Sequence, residues 1–139
     1  MTGHWFSPLT ARTTLQRVRP TIERIRDVYR AMQDMRPGRP GSDCPVEPRY
    51  FDLVVRLHLG VGELQRVGVV VKDLAAGRID FPSRRDGRPV LLSWQLGDPA
   101  IGYWREVDDD DKKRRPVDVE GPWDSPPLAA RALGGKPPG

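Results

Sequence analysis

A single cysteine, Cys44, leaves the chain without an internal disulfide, and its two histidines, His4 and His58, stand far apart. A zinc site draws three or four Cys, His or carboxylate ligands at short fixed spacings, so no metal centre is expected, and nothing in the sequence implies a cofactor. Cys44 lies among Gly41, Ser42, Asp43 and Pro45 with no histidine nearby to activate it, which reads as a plain loop thiol. No apolar run approaches the ~20 residues that cross a bilayer, so no membrane partner is expected. Met1 to Thr13 lacks the basic stretch followed by an apolar stretch that marks a secretory signal. Together these absences give a cytoplasmic expectation. Gly-rich phosphate loops, nucleophile elbows and His-containing triads are also missing.

The 139 residues suffice for one domain and not for two. Fourteen glycines and fifteen prolines concentrate towards loop-like stretches, which leaves an expected domain at residues 6–117. Residues 1–5 and 118–139 read as disordered ends.

Phe6-Ser7-Pro8 carries a helix start, with Ser7 as the cap and Pro8 at the first helical position. Apolar residues then recur at Ala11, Leu15, Val18, Ile22, Ile25, Tyr29 and Met32, in alternating steps of four and three. This heptad spacing predicts a helix over 6–36 lying lengthwise on another helix, as in a coiled coil. Pro20 interrupts it and is expected to kink or split the helix near Arg19. A Pro/Gly-rich loop follows at 37–48. Tyr50, Val54, Leu57, Val61 and Leu64 repeat the four-three spacing and predict a second, antiparallel helix over 49–67. Two features compete with it. Gly60, Gly62 and Gly68 each cost about 1 kcal/mol relative to Ala inside a helix. Phe51, Leu53, Val55, Leu57 and Leu59 also alternate with the period of a strand, but the segment is long for one strand.

From Gly68 the texture changes. Val69-Val70-Val71, Ile79-Asp80-Phe81, Val90 to Trp94 and Ile101 to Val107 are strand candidates, separated by turn signals at Gly77, Asp86-Gly87 and Gly97-Asp98-Pro99. Asp108 to Arg115 runs four acids into four bases and reads as a solvated loop. The fold class that follows is α+β: a two-helix hairpin, then a small antiparallel sheet over 68–107.

Several stretches together resemble one prokaryotic family, domain of unknown function 2203. They are Val71-Lys72-Asp73-Leu74, Gly77 to Pro82, Asp86 to Val90, Trp94, Leu96-Gly97-Asp98, Ile101-Gly102-Tyr103-Trp104 and Arg114-Arg115-Pro116, with the helix opened by Phe6. The resemblance spans most of 6–116 and implies a helical hairpin followed by a small β portion, with no activity attached. Three positions depart from its pattern. Ser93 stands where relatives tend to have Cys, Arg105 where they tend to have His, and Asp110-Asp111 where a Gly-Phe pair is expected.

Two sets of residues carry candidate chemistry. Asp73 and Asp80 flank a turn, and a converging carboxylate pair can run acid–base chemistry. Against this, Asp73 suits a cap on the turn that follows, and Asp80 suits a strand's wet face or an ion pair with Arg78 or Arg88. His58 reads as a structural histidine beside the helical seam, and Trp94 and Trp104 read as core. The second set is an arginine stripe. Eight arginines face three acids between Thr10 and Pro40. Arg12, Arg19 and Arg26 fall at one heptad position flanking the seam, with Arg17 and Arg24 beside them. The second helix offers only Asp52 and Glu63 in return. The functional expectation is a non-catalytic protein-interaction module acting through the basic hairpin on an acidic partner or a second copy. RNA or DNA binding through the stripe is the alternative, and an enzyme using Asp73 and Asp80 is the third reading.

Overall fold

The structure, a computed structural model, describes residues 5–35, 48–108 and 113–127. Helix α1 runs Pro8–Asp34. Its start is fixed by a reciprocal cap: the Thr10 N–H donates to Ser7 Oγ at 3.2 Å, and the Ser7 N–H donates to Thr10 Oγ1 at 2.9 Å. These bonds satisfy two of the amide groups that a helix start leaves without partners. Helix α1 is unbroken at Pro20, so of the expected kink or split the split does not occur. Pro20 itself is exposed, while Val18, Thr21 and Ile22 around it are buried. Packing on both sides of the proline therefore holds one helix together across the lost backbone bond.

Helix α2 runs Pro48–Arg66. Its direction relative to α1 follows from the contacts: Thr21 reaches Glu63, and Ile25 packs at Gly60. Advancing along one helix retreats along the other, so the pair is an antiparallel hairpin. The expected α2 seam is displaced. Leu53, Gly60 and Leu64 are buried, and Leu57 and Val61 are partly buried, whereas Val54 is 37% exposed. Gly60 explains the shift. A Cβ at that position would overlap Ile25 Cγ2, so the bare glycine lets α1 seat directly over it and turns the face of α2 accordingly. The glycine that weakens the helix locally thus permits the closest helix–helix contact.

Five strands follow: β1 Val70–Asp73, β2 Arg78–Arg85, β3 Arg88–Gln95, β4 Tyr103–Glu106 and β5 Arg115–Pro116. They pair in chain order as an antiparallel meander. The β2–β3 hairpin closes on Asp86 (φ 50°) and Gly87 (φ 76°). Two consecutive positive-φ residues make the tight loop whose twist matches paired strands, and Asp-Gly is well suited to it. One sheet face carries Ile79, Phe81, Val90, Leu92, Trp94 and Trp104 into a common core with Ala11, Leu15, Val18, Ile22, Ile25 and Leu64. The three-four spacing of α1 and the alternation of the strands therefore converge on one apolar layer.

Both ends of the packed chain extend beyond the sequence expectation of disordered termini. The Trp5 indole N–H donates to the Asp124 carbonyl at 3.4 Å, and the Phe6 N–H donates to the Pro82 carbonyl at 2.7 Å. Past residue 117, the Asp86 N–H donates to the Pro122 carbonyl at 2.8 Å, and Trp123 stacks edge-on against Trp104 at 5.9 Å. Trp123 supplies an apolar anchor that the surrounding prolines and glycines disguise. The Cys44 loop, Asp110-Asp111 and residues 128–139 lie outside the described residues. Among the described residues no helix is long and apolar enough to cross a membrane.

Candidate functional site

Asp73 and Asp80 sit in different surroundings. Asp73 is exposed, and its Oδ1 accepts from the Ala76 N–H at 3.1 Å, capping the β1–β2 turn. Asp80 is 1% exposed, and both its oxygens are taken: Ser93 Oγ donates to Oδ1 at 2.9 Å, and Arg105 Nη2 donates to Oδ2 at 3.1 Å. The wet-face reading of Asp80 and its pairing with Arg78 or Arg88 give way to this buried arrangement. The sheet register explains it. Asp80 sits opposite Ser93, Ser93 opposite Tyr103, and Arg105 opposite Leu91. Strand alternation then sends Asp80, Ser93 and Arg105 to the face away from the helices, one from each of three adjacent strands. Ser93 and Arg105 are two of the three departures from the family resemblance, and they meet on the same carboxylate. The buried carboxylate thus ties three strands together, one oxygen held by a hydroxyl and the other by a guanidinium.

The arginine stripe stays at the surface, with Arg12, Arg17, Arg19 and Arg24 exposed and Arg26 half-buried, but Arg19, Arg24 and Arg26 have partners. Arg19 lies over the Trp94 ring at 5.6 Å. Arg24 Nη2 donates to Thr21 Oγ1 at 3.1 Å and lies 3.6 Å from Glu63 Oε2. Arg26 pairs with its neighbour Asp27 at 2.9 Å. Arg12 and Arg17 are exposed on the same helix. The stripe is therefore partly a packing device, with guanidinium groups stacked on indole and carboxylate neighbours.

The surface that sequence reasoning missed is on α2. Phe51, Val55 and Leu59 are 65%, 40% and 54% exposed and recur every fourth residue, with Val54 and His58 alongside. They occupy the side of α2 opposite Leu53, Gly60 and Leu64. The signal was visible but read differently. The alternation of Phe51, Leu53, Val55, Leu57 and Leu59 arises because α2 is apolar on two opposite faces. Residues 53 and 57 face α1, and residues 51, 55 and 59 face out. A helix packed on one side only carries one apolar stripe, and a contiguous exposed row of large apolar groups marks a contact surface.

A shallow cavity of about 280 Å³ opens at the far end of the sheet, lined by Arg85, Arg88, Val90, Trp104, Glu106 and Arg115 among others, with no helical residue in its wall. Its cations are engaged by their neighbours. Arg85 stacks 4.8 Å from both Trp104 and Trp123 and pairs with Asp118 at 2.9 Å, and Arg88 lies 3.4 Å from Glu106. Among the described residues no group of three His, Cys, Asp or Glu side chains is placed to hold a metal ion.

Comparison with curated proteins and with solved structures returns no match. The model of one family, described as "Uncharacterized conserved protein (DUF2203)", matches residues 4–117, which takes in both helices and all five strands. The chain belongs to that family.

Proposed function

We propose that the chain is a non-catalytic interaction module of the cytoplasm that works through its helical hairpin. The observation that carries this reading is the outer face of α2, where Phe51, Val55 and Leu59 form an exposed apolar row. Leaving three such side chains in water forgoes the burial that drives association. The hairpin contacts therefore centre on α2, with the arginines of α1 at the margin. The nucleic-acid alternative draws less support, because Arg19, Arg24 and Arg26 already have partners in Trp94, Glu63 and Asp27. The enzyme reading draws less support, because Asp73 is exposed and caps a turn while both oxygens of Asp80 hold protein partners.

A photo-crosslinking amino acid at Val55, compared with one at Val119 as an exposed control remote from the hairpin, tests the proposal. Val119 is 72% exposed. In cells, the Val55 position is expected to yield a discrete adduct of defined mass and the Val119 position none. Equal, diffuse labelling at both positions counts against a dedicated surface on α2.

A further inference from the structure

We infer that the outer face of α2 pairs with the same face of a second copy of this chain, the two helices running antiparallel across a two-fold axis near Leu59. The inference rests on the reading of the hairpin as a contact surface and names its occupant.

Charge order is the first argument. Asp52, Arg56 and Glu63 stand along one flank of the apolar row and Arg66 at its C-terminal end, with signs that alternate in chain order. An antiparallel copy reverses that order, so Asp52 meets Arg66 of the second copy while Arg56 meets Glu63 of the second copy. The two pairings share a centre to within half a residue. Asp52 and Arg66 lie equally far on either side of residue 59, and Arg56 and Glu63 lie three before it and four after it. A parallel copy in register would instead set each charge against its own kind. Within one chain Arg56 Nε already lies 3.1 Å from Asp52 Oδ2, and Glu63 lies beside Arg24. The cross-pairs extend these bonds into a network along the rim of the apolar row, the arrangement that sets orientation between paired helices.

Gly62 is the second argument. Gly60 is explained by Ile25 of the same chain. Gly62 has no such explanation: a Cβ there would meet only the end of the Arg66 side chain, at 4.0 Å. A glycine inside a helix is unfavourable relative to alanine, yet nothing among the described residues needs it bare. It lies beside Val55 and Leu59 on the outer face. In an antiparallel register centred near Leu59, Val55 of the second copy comes within about one residue of the point opposite Gly62, about 1.5 Å along the helix, and the missing side chain admits a close approach. α2 then uses one glycine for each of its two helix contacts. Because the same patch serves both copies, the contact closes as a dimer and leaves no face for further growth.

Sedimentation equilibrium of the full chain over a concentration series is the test. The wild-type mass is expected to rise from one chain to two. Asp52→Arg and Arg66→Asp should each weaken association about tenfold or more, by setting like charges together across the axis. Mixing the two variants should restore the dimer, since each copy then carries the charges that the other requires. Gly62→Leu, on an open face, should weaken association while circular dichroism and melting stay close to wild type. A wild-type chain that remains single at every concentration overturns the inference, as does a mixture that fails to recover or a dimer indifferent to all three substitutions. If the chain stays single while crosslinks from Val55 still reach a different protein, the second copy is excluded and the hairpin reading stands.

Discussion

Replacing Arg105 with methionine is expected to destabilise the fold by about 3–5 kcal/mol, the usual cost of stranding one member of a buried ion pair. The effect is large because Asp80 is 1% exposed and has no water to turn to when its cation is removed. Among the described residues Ser93 stays on the carboxylate, at Oδ1, and a neutral hydroxyl offsets little of a buried charge. Asp80→Leu should do comparable damage by leaving the guanidinium buried. The double variant Asp80→Leu/Arg105→Met removes both charges and should recover most of the loss. What remains is the Ser93 hydroxyl deprived of its acceptor, on the order of 1–3 kcal/mol. Urea denaturation of the four proteins of this cycle measures the coupling. A double variant as unstable as the two single losses combined would show that Asp80 and Arg105 act independently, contrary to their 3.1 Å contact.

Trp94→Ala should cost about 3–5 kcal/mol, as for other large aromatic side chains removed from a core. Trp94 joins the sheet to the hairpin. Its ring is buried among Leu92, Ile79 and the α1 residues, its indole N–H donates to the Asp98 carbonyl at 3.1 Å, and Arg19 of α1 lies over it. Arg19→Ala removes only the stacked cation and is expected to cost about 0.5–1 kcal/mol. Thermal unfolding of the two variants, referred to the same temperature, separates the contributions. Equal losses would place the weight on the cation rather than on the buried ring.

Local signals were the most legible part of the fold. Ser7-Pro8 and Asp86-Gly87 act through their own backbone, so a cap and a two-residue turn can be read without knowing what packs on them. The four-three spacing of α1 was legible for the same reason, because every residue from Ala11 to Ile25 on that seam meets one apolar layer. The continuity of α1 through Pro20 was not legible because the penalty is local while the remedy, the burial of Val18 and Ile22 on either side, is tertiary. The displaced α2 seam depends on Gly60 fitting under Ile25, a contact between residues far apart in the chain. Asp80, Ser93 and Arg105 needed the register of three strands before their common point appeared. Trp123 needed Trp104 and Arg85.

The candidate surface was half legible. The unbalanced basic charge of α1 pointed to the hairpin, but several of those arginines are spent on Trp94, Glu63 and Asp27. The outer row of α2 was present in the sequence as an apparent strand pattern. It became a second helix face only once Leu53, Gly60 and Leu64 were seen to be buried against α1.

Carbene footprinting of the purified full chain, from dilute to concentrated solution, tests the surface most directly. Labelling of Phe51, Val55 and Leu59 is expected to fall as concentration rises, while Leu9 and Val119, exposed away from this face, keep their labelling unchanged. Labelling of the α2 row that stays constant across the series, or that falls equally at Leu9 and Val119, would contradict the account.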